Sequence, residues 1–302
     1  MSKPLILSTG CLGQLGSTIQ LHWGASQLAA SHDLLAVDID QLDLTDAEDV
    51  TAYLNQLKPA VIINAAAYTN VDGAETDEEL AYAVNAEAVS CLVSWCAANP
   101  CRLIQVSTDF VFDGAQRDPY KPDAAPAPLS VYGASKLAGE NEILERLPQA
   151  GIIVRTSWLY SEFGRNFVKT MLRIMTDKPE LKVVNDQIGS PTSAHTLTQF
   201  LFQLIQSETS SGMYHWTDGG EISWFDFAEA IYAQGKLAGL LANDVTILPI
   251  PSAEYPTSAT RPCYSVLDRS GSLALADFEP QSWRSALQHV VSNLAHKAST
   301  SG

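Results

Sequence analysis

The chain has 302 residues, 46% of them hydrophobic, enough to fill one large α/β domain with a smaller lobe. Its 34 acidic against 18 basic residues give a formal net charge of −16, which repels phosphate backbones and anionic lipid headgroups, so neither nucleic acid nor membrane is an expected partner. The absence of an 18-residue apolar run, an apolar start broken at Gly10, and five cysteines without CxxC or zinc-type spacing predict a cytoplasmic protein with reduced thiols and no metal site.

In chain order, the apolar run Pro4-Leu5-Ile6-Leu7-Ser8 leads into Gly10-Cys11-Leu12-Gly13-Gln14-Leu15-Gly16 and a helix-period stretch reaching Leu28. Glycine tolerates φ > 0 and close approach of backbone to a ligand, and a helix start offers free N–H groups to a pyrophosphate. Strand, glycine turn and helix in that order predict a dinucleotide site. The next run, Leu34 to Val37, ends in Asp38, roughly 20 residues beyond the glycines, where a carboxylate accepts from the adenosine ribose or caps a turn. Between Asp33 and Lys58 there is no arginine and only the terminal lysine, so no nearby cation neutralises a 2′-phosphate and NADH is expected to serve as well as NADPH.

A helix over 46–57 precedes a third run, Val61 to Ala65, followed by Ala65-Ala66-Ala67-Tyr68-Thr69. Those small side chains leave room for a flat cofactor, or serve tight helix–sheet packing. After a helix over 78–98 and a fourth run, Leu103 to Ser107, come Thr108 and Asp109; a proline-rich loop over 119–128 then enters a helix over 131–147 carrying Tyr132-Gly-Ala-Ser-Lys136. Tyrosine and lysine four apart share one helix face, so a protonated Lys136 is expected to lower the pKa of Tyr132 and fit it for acid catalysis. A fifth run, Ile152 to Thr156, leads to Ser157 and Trp158. A helix over 166–175, a strand over 181–184 and a helix over 196–206 follow; past 208 the pattern is irregular and proline-punctuated, and 297–302 reads as disordered. An anionic substrate needs a cationic pocket, for which Arg155, Arg165, Lys169, Arg173 and Arg261 are candidates.

Near-continuous apolar strands alternating with helices predict an α/β, Rossmann-type doubly wound parallel sheet. Residues 1–160 are assigned to the dinucleotide-binding domain, with 190–215 added to it, and 161–302 mainly to a smaller, interleaved substrate-binding lobe.

Together these segments resemble the extended short-chain dehydrogenase/reductases, and within them the dTDP-4-dehydrorhamnose reductase family. The resemblance runs over nearly the whole chain: the glycine turn, Asn64-Ala-Ala-Ala67-Tyr-Thr69-x-Val-Asp72-x-Ala-Glu75, Val84-Asn85-Ala86, Ser107-Thr-Asp-Phe-Val-Phe-Asp-Gly114, Val131-Tyr-Gly-Ala-Ser-Lys-Leu-Ala-Gly-Glu140, Arg155-Thr-Ser-Trp-Leu-Tyr160, Asn185-Asp-Gln-Ile-Gly-Ser-Pro-Thr192 and Tyr255-Pro-Thr-x-Ala-x-Arg-Pro262. It implies reduction of the C4 keto group of dTDP-4-dehydro-6-deoxy-L-mannose (dTDP-6-deoxy-L-lyxo-4-hexulose) by NADPH or NADH, giving dTDP-L-rhamnose. Carried over residue by residue, Tyr132 donates the proton, Lys136 holds the nicotinamide ribose, and Thr108 hydrogen-bonds the reacting oxygen. Asp109, Trp158 and Arg261 meet the sugar nucleotide, while Asp43 and Leu44 join Asp38 and the glycine turn around the cofactor.

Phe110 stands where sugar-nucleotide 4,6-dehydratases carry a glutamate, which favours simple reduction. Members of the family are associated with magnesium at a dimer contact, held by glutamates; Thr18 and His195 stand at two of those places, so the resemblance leaves magnesium and a homodimer in doubt. Two other functions fit the motifs: a non-catalytic NADP-binding regulatory subunit resembling the methionine adenosyltransferase beta subunit, and a reductase or epimerase of another 4-keto sugar nucleotide.

Overall fold

The strands at the centre of the main sheet are buried on both faces, and their alternate side chains fill two cores. In the computed structural model, which describes residues 3–207 and 211–300, the strands are β1 (Leu5–Thr9), β2 (Asp33–Val37), β3 (Val61–Asn64), β4 (Arg102–Thr108), β5 (Gly151–Thr156), β6 (Leu159–Tyr160), β7 (Glu180–Val184), β8 (Ile188–Gly189), β9 (Thr192–Ser193), β10 (Gly212–His215), β11 (Ile222–Ser223) and β12 (Thr246–Ile250). The helices are α1 (Gln14–Trp23), α2 (Leu28–Ser31), α3 (Ala47–Leu57), α4 (Val71–Ala74), α5 (Glu78–Tyr82), α6 (Ala88–Ala98), α7 (Val131–Arg146), α8 (Phe167–Asp177), α9 (Ala194–Gln206), α10 (Trp224–Leu237), α11 (Ser270–Leu275) and α12 (Trp283–Thr300).

Six strands form one parallel sheet in the order β10-β5-β4-β3-β1-β2. Leu7, Ile62, Leu103 and Ile153 face a core closed by residues of α3, α6 and α7, whereas Ile6, Ile63, Ile104, Ile152 and Val154 face α1 and α9. This is period-2 alternation with both faces covered, and it gives a Rossmann-type doubly wound architecture. A helix long and apolar enough to cross a membrane runs through Glu78–Ala98, but half of that stretch is buried inside the fold. Val89, Leu92 and Val93 belong to the first core, so the helix is apolar because it is internal.

Two expectations are corrected. The expected strand at 181–184 is β7, but it pairs in parallel with β12 outside the central sheet. The sixth strand of the sheet is β10, beside β5, which carries no apolar run because Gly212-Met-Tyr-His215 is short and lies at an edge. The end of the chain was expected to be disordered from 297; α12 continues to Thr300, anchored by Trp283, Leu287, Val290 and Val291 in a third core with α8 and α10. Residues 301–302 lie outside the described residues.

Candidate active site

The carboxyl ends of β1 to β5 open into a cleft of about 930 Å³, the place where parallel sheets of this kind bind ligands. One side is the glycine turn. Gly10 has φ +67°, and a Cβ on Gly16 would lie 2.2 Å from the carbonyl oxygen of Gly10. Only glycine lets α1 start so close to the turn. Gly13 is the N-cap residue of α1 and offers no side-chain cap, so the first-turn amides of Gln14, Leu15 and Gly16 are left for an anionic ligand. The cradle therefore fits a dinucleotide pyrophosphate.

Around that turn the cleft is lined by Asp38, Asp43, Leu44, Ala65, Ala66, Ala67 and Thr69 together with Gly10, Gly13, Gln14 and Leu15. Asp38 both faces the cleft and caps. Its Oδ2 accepts from the Leu12 amide at 2.7 Å and its Oδ1 from the Ile39 amide at 3.0 Å, tying the glycine turn to the end of β2. Asp43 accepts from the hydroxyl and amide of Thr45, which hold its carboxyl below the usual range. The Gln14 carboxamide turns toward the smaller lobe, accepting from Asn166 Nδ2 at 2.8 Å.

The other side is built by β4 and α7. Ser130 caps α7 by accepting from Gly133 N, and Glu75 accepts from Val131 N at 2.9 Å, fixing the first turn on which Tyr132 stands. A Cβ on Gly133 would lie 2.1 Å from the Phe110 carbonyl, so this glycine lets the helix dock on the turn carrying Thr108 and Asp109. Thr108, Asp109, Tyr132 and Lys136 all line the same cleft as the glycine turn.

Burial pushes the Tyr132 phenol up to about 12, reinforced by the Asp109 carboxylate, while a hydrogen bond with Thr108 pulls the other way. The expected lowering by Lys136 is not what the geometry delivers. Its ammonium donates to the Val106 carbonyl at 2.7 Å, and desolvation, the larger effect, brings Lys136 itself down to about 8 against the pull of Glu140. Tyr132 thus keeps its proton at neutral pH. Asp109 is raised to about 6 by burial, and its Oδ2 is buried without a partner.

The five candidate cations separate sharply. Arg155 is fully internal, donating from Nε and Nη2 to both oxygens of Glu140 at 2.9 and 2.5 Å, with Ser107 donating to the same carboxylate; it cannot meet a substrate. Lys169 donates to the carbonyls of Glu162 and Gly164, and Arg173 is exposed away from the cleft. Arg165 and Arg261 line it, and Arg261 also pairs with Asp72 at 2.7 Å. Arg261 thus faces the cleft and holds a salt bridge at the same time.

Thr18 and His195 are both engaged by other groups of the chain. The Thr18 hydroxyl donates to the Gln14 carbonyl, and His195 contacts His22 at 2.7 Å and Glu162 at 2.8 Å through its two ring nitrogens. Among the described residues no group of three or more His, Cys, Asp or Glu is arranged to hold a metal ion.

Two residues around the site were given no role from the sequence. Asn85 lies in a π-helical turn over Ala83–Glu87, accepting from Tyr68 N and donating to Tyr68 O and Ser135 Oγ; it clamps α7 to the alanine-rich loop. The motif Val84-Asn85-Ala86 was the only signal. Trp224, stacked on Trp158 at 3.6 Å between centroids, lines the cleft and had no signal.

The model of the RmlD substrate binding domain family matches residues 4–296. A dTDP-4-dehydrorhamnose reductase of Aggregatibacter actinomycetemcomitans is 40% identical over 292 residues, covering 94% of this chain and 97% of that protein. The crystal structure of a dTDP-4-dehydrorhamnose reductase from Bacillus anthracis in complex with NADP superposes with a TM-score of 0.87 at 35% identity, covering 95% and 98% of the two chains. A dTDP-4-dehydrorhamnose reductase ortholog from Clostridium acetobutylicum gives 0.88 at 38% identity, covering 96% and 99%.

Proposed function

The chain belongs to the RmlD substrate binding domain family, and on that premise we propose that it reduces the C4 keto group of dTDP-4-dehydro-6-deoxy-L-mannose to dTDP-L-rhamnose, using NADPH or NADH. The observation that carries the reading is that a phenol, a hydroxyl and an ammonium, from Tyr132, Thr108 and Lys136, share one cleft with a glycine turn fitted to a pyrophosphate. The relatives' names and the NADP of the Bacillus anthracis structure support it.

Bound nicotinamide supplies a hydride, and that chemistry is the cofactor's own. The chain's part is to hold the cofactor on the glycine turn, Asp38, Asp43, Leu44 and the alanine loop, and to manage the charge that grows on the carbonyl oxygen. Tyr132 carries a proton at Oη throughout the neutral range and gives it to that oxygen. Thr108, itself buried, donates a second hydrogen bond from a fixed position, which a prearranged donor needs to be effective. Lys136 holds the nicotinamide ribose and places positive charge near Tyr132 as its phenolate forms. Asp109, Trp158 and Arg261 take the sugar nucleotide. Residues 1–160 with 190–215 hold the cofactor in this reading, and the rest of 161–302 forms the sugar side.

A cytoplasmic location fits a nucleotide-sugar substrate. A homodimer rests on the resemblance alone, and light scattering of the purified protein checks it.

The test is to incubate the purified protein with the 4-keto sugar nucleotide, generated in place by the preceding epimerase, and follow loss of reduced nicotinamide alongside product formation. Equimolar cofactor oxidation and dTDP-L-rhamnose are expected, unaffected by EDTA. Binding of cofactor and nucleotide sugar without turnover would instead make this a regulatory subunit.

A further inference from the structure

Trp158 has φ +46°, a left-handed backbone conformation that bulky residues rarely adopt and that persists only where the surroundings over-determine it. Its main chain is pinned by the segment after β8: the Ser157 hydroxyl donates to the Ser190 carbonyl at 2.6 Å, and Thr192 N donates to the Trp158 carbonyl at 3.3 Å. Its ring is pinned from two sides. Trp224 stacks on its face, with 12° between the planes. At its edge lies Gly189, where a Cβ would come within 2.7, 2.8 and 2.9 Å of Cε2, Cζ2 and Nε1.

One short ribbon supplies both supports. β8 and β11 pair antiparallel, with Gly189 opposite Ile222 and Ile188 opposite Ser223. Ser223 then caps α10 in a reciprocal capping box with Asp226, which fixes Trp224 as the first helical residue. The indoles of Trp158 and Trp224 line the cleft that also holds Thr108 and Tyr132. Beside them, the Asp109 carboxylate accepts from the Thr108 hydroxyl at Oδ1 (3.2 Å) and leaves Oδ2 buried without a hydrogen-bond partner, in a recess shared with Trp158, Trp224, Gln187, Arg261 and Ser265. An apolar ring wall next to a carboxylate with one oxygen still open suits a deoxyhexose, which has apolar C–H faces and hydroxyl edges.

We propose that Gly189 and Trp224 are positioning residues that hold the Trp158 indole as the wall of the sugar pocket, so that its exposed surface packs on the bound deoxyhexose rather than on the nucleotide. This inference rests on the sugar-nucleotide reading of the cleft. Gly189 leaves the ring room at its edge, and Trp224 holds its face; of these three residues, Trp158 is the one that touches the sugar.

The experiment measures the Kd of thymidine diphosphate and of dTDP-L-rhamnose by calorimetry with NADP⁺ present, for the unaltered protein and for Gly189→Ala, Trp224→Ala and Trp224→Phe. The unaltered protein is expected to prefer the sugar nucleotide. Gly189→Ala and Trp224→Ala should each reduce that preference by about tenfold, the scale on which apolar pockets discriminate, and leave thymidine diphosphate affinity unchanged. Trp224→Phe, which keeps a ring, should restore most of it. In turnover the loss should appear in KM for the sugar nucleotide rather than kcat, and near-UV circular dichroism should report the altered ring pair. If Gly189→Ala does not fold, Trp224→Ala decides. Unchanged preference in the folded variants overturns the proposal, as does an equal loss of affinity for both ligands, which would assign the wall to the base. An unaltered protein with neither sugar preference nor turnover would overturn the reductase reading as well.

Discussion

On the glycine-turn side of the cleft, what faces a ligand is mostly backbone and small side chains: the first amides of α1, the alanines after β3, and two carboxylates, Asp43 and Asp38, the latter also bonded to the Leu12 amide. On the other side it is large or ionisable side chains, Tyr132, Lys136, Asp109, Trp158 and Trp224, which are buried, desolvated or strained. The first side is positioned by β1 to β3 of the central sheet. The second relies on β4, on α7 docking at Phe110 and, around Trp158 and Trp224, on strands of two residues each. The difference teaches where stability and activity part company: the glycine turn sits in the conformation its sequence prefers, whereas the catalytic wall keeps charged and strained groups that the fold would be better without.

Lys136→Met sharpens that contrast most. Removing the ammonium should lower kcat by roughly 100-fold or more, yet raise the melting temperature by about a few degrees, because a buried cation is replaced by an apolar chain of similar size. Kinetics and calorimetry on one preparation check both signs. The pH dependence carries the same opposition. Activity that needs protonated Lys136 should fall as pH rises through about 8. From about 8 up to the ordinary lysine value the native state binds fewer protons at this residue than the unfolded chain, so its contribution to stability should rise with pH over that window. A pH–rate profile and denaturant melts across the range read the two directions.

Gly16→Ala probes the opposite side and should be next in size. Its Cβ would meet the Gly10 carbonyl at 2.2 Å, so the turn must shift, weakening cofactor binding by roughly tenfold or more while also destabilising the fold by about 1–3 kcal/mol. Fluorescence titration with NADPH and a melting curve measure the pair. A variant with full cofactor affinity would break the claim that backbone carries this side.

Asp38→Ala should be smaller and selective. It should raise KM for NADH by several-fold, and less for NADPH, since the carboxylate competes with a 2′-phosphate; an equal rise for both would leave Asp38 with only its capping of Leu12 and Ile39. Arg261→Gln should be smallest, raising KM for the nucleotide sugar a few-fold, because half-exposed Asp72 and solvent already share its charge.

The same contrast decides what could be read from the sequence. β1 to β5 were visible because strands buried on both faces leave uninterrupted apolar runs, and the glycine turn was visible because its geometry admits few residues at Gly10 and Gly16. β10 was not, being four residues at an edge, and β6, β8, β9 and β11 are too short to show any periodicity. Trp224 owes its place to the β8–β11 ribbon, a long-range pairing of two residues on each side. Residue type named five possible cations but not their surroundings: Arg155 proved to be the internal partner of Glu140, a fact set by packing. The effect of Lys136 on Tyr132 was misjudged for the same reason, since spacing on a helix gives proximity but not desolvation, and burial dominates here.

The central claim is that Tyr132, protonated at neutral pH, supplies the proton to the reduced carbonyl. It is tested most directly by single-turnover reduction with the cofactor preloaded, comparing the unaltered protein with Tyr132→Phe. Oxidation of the nicotinamide should slow by on the order of 100-fold or more, with cofactor affinity unchanged; an undiminished rate in the variant would contradict the account.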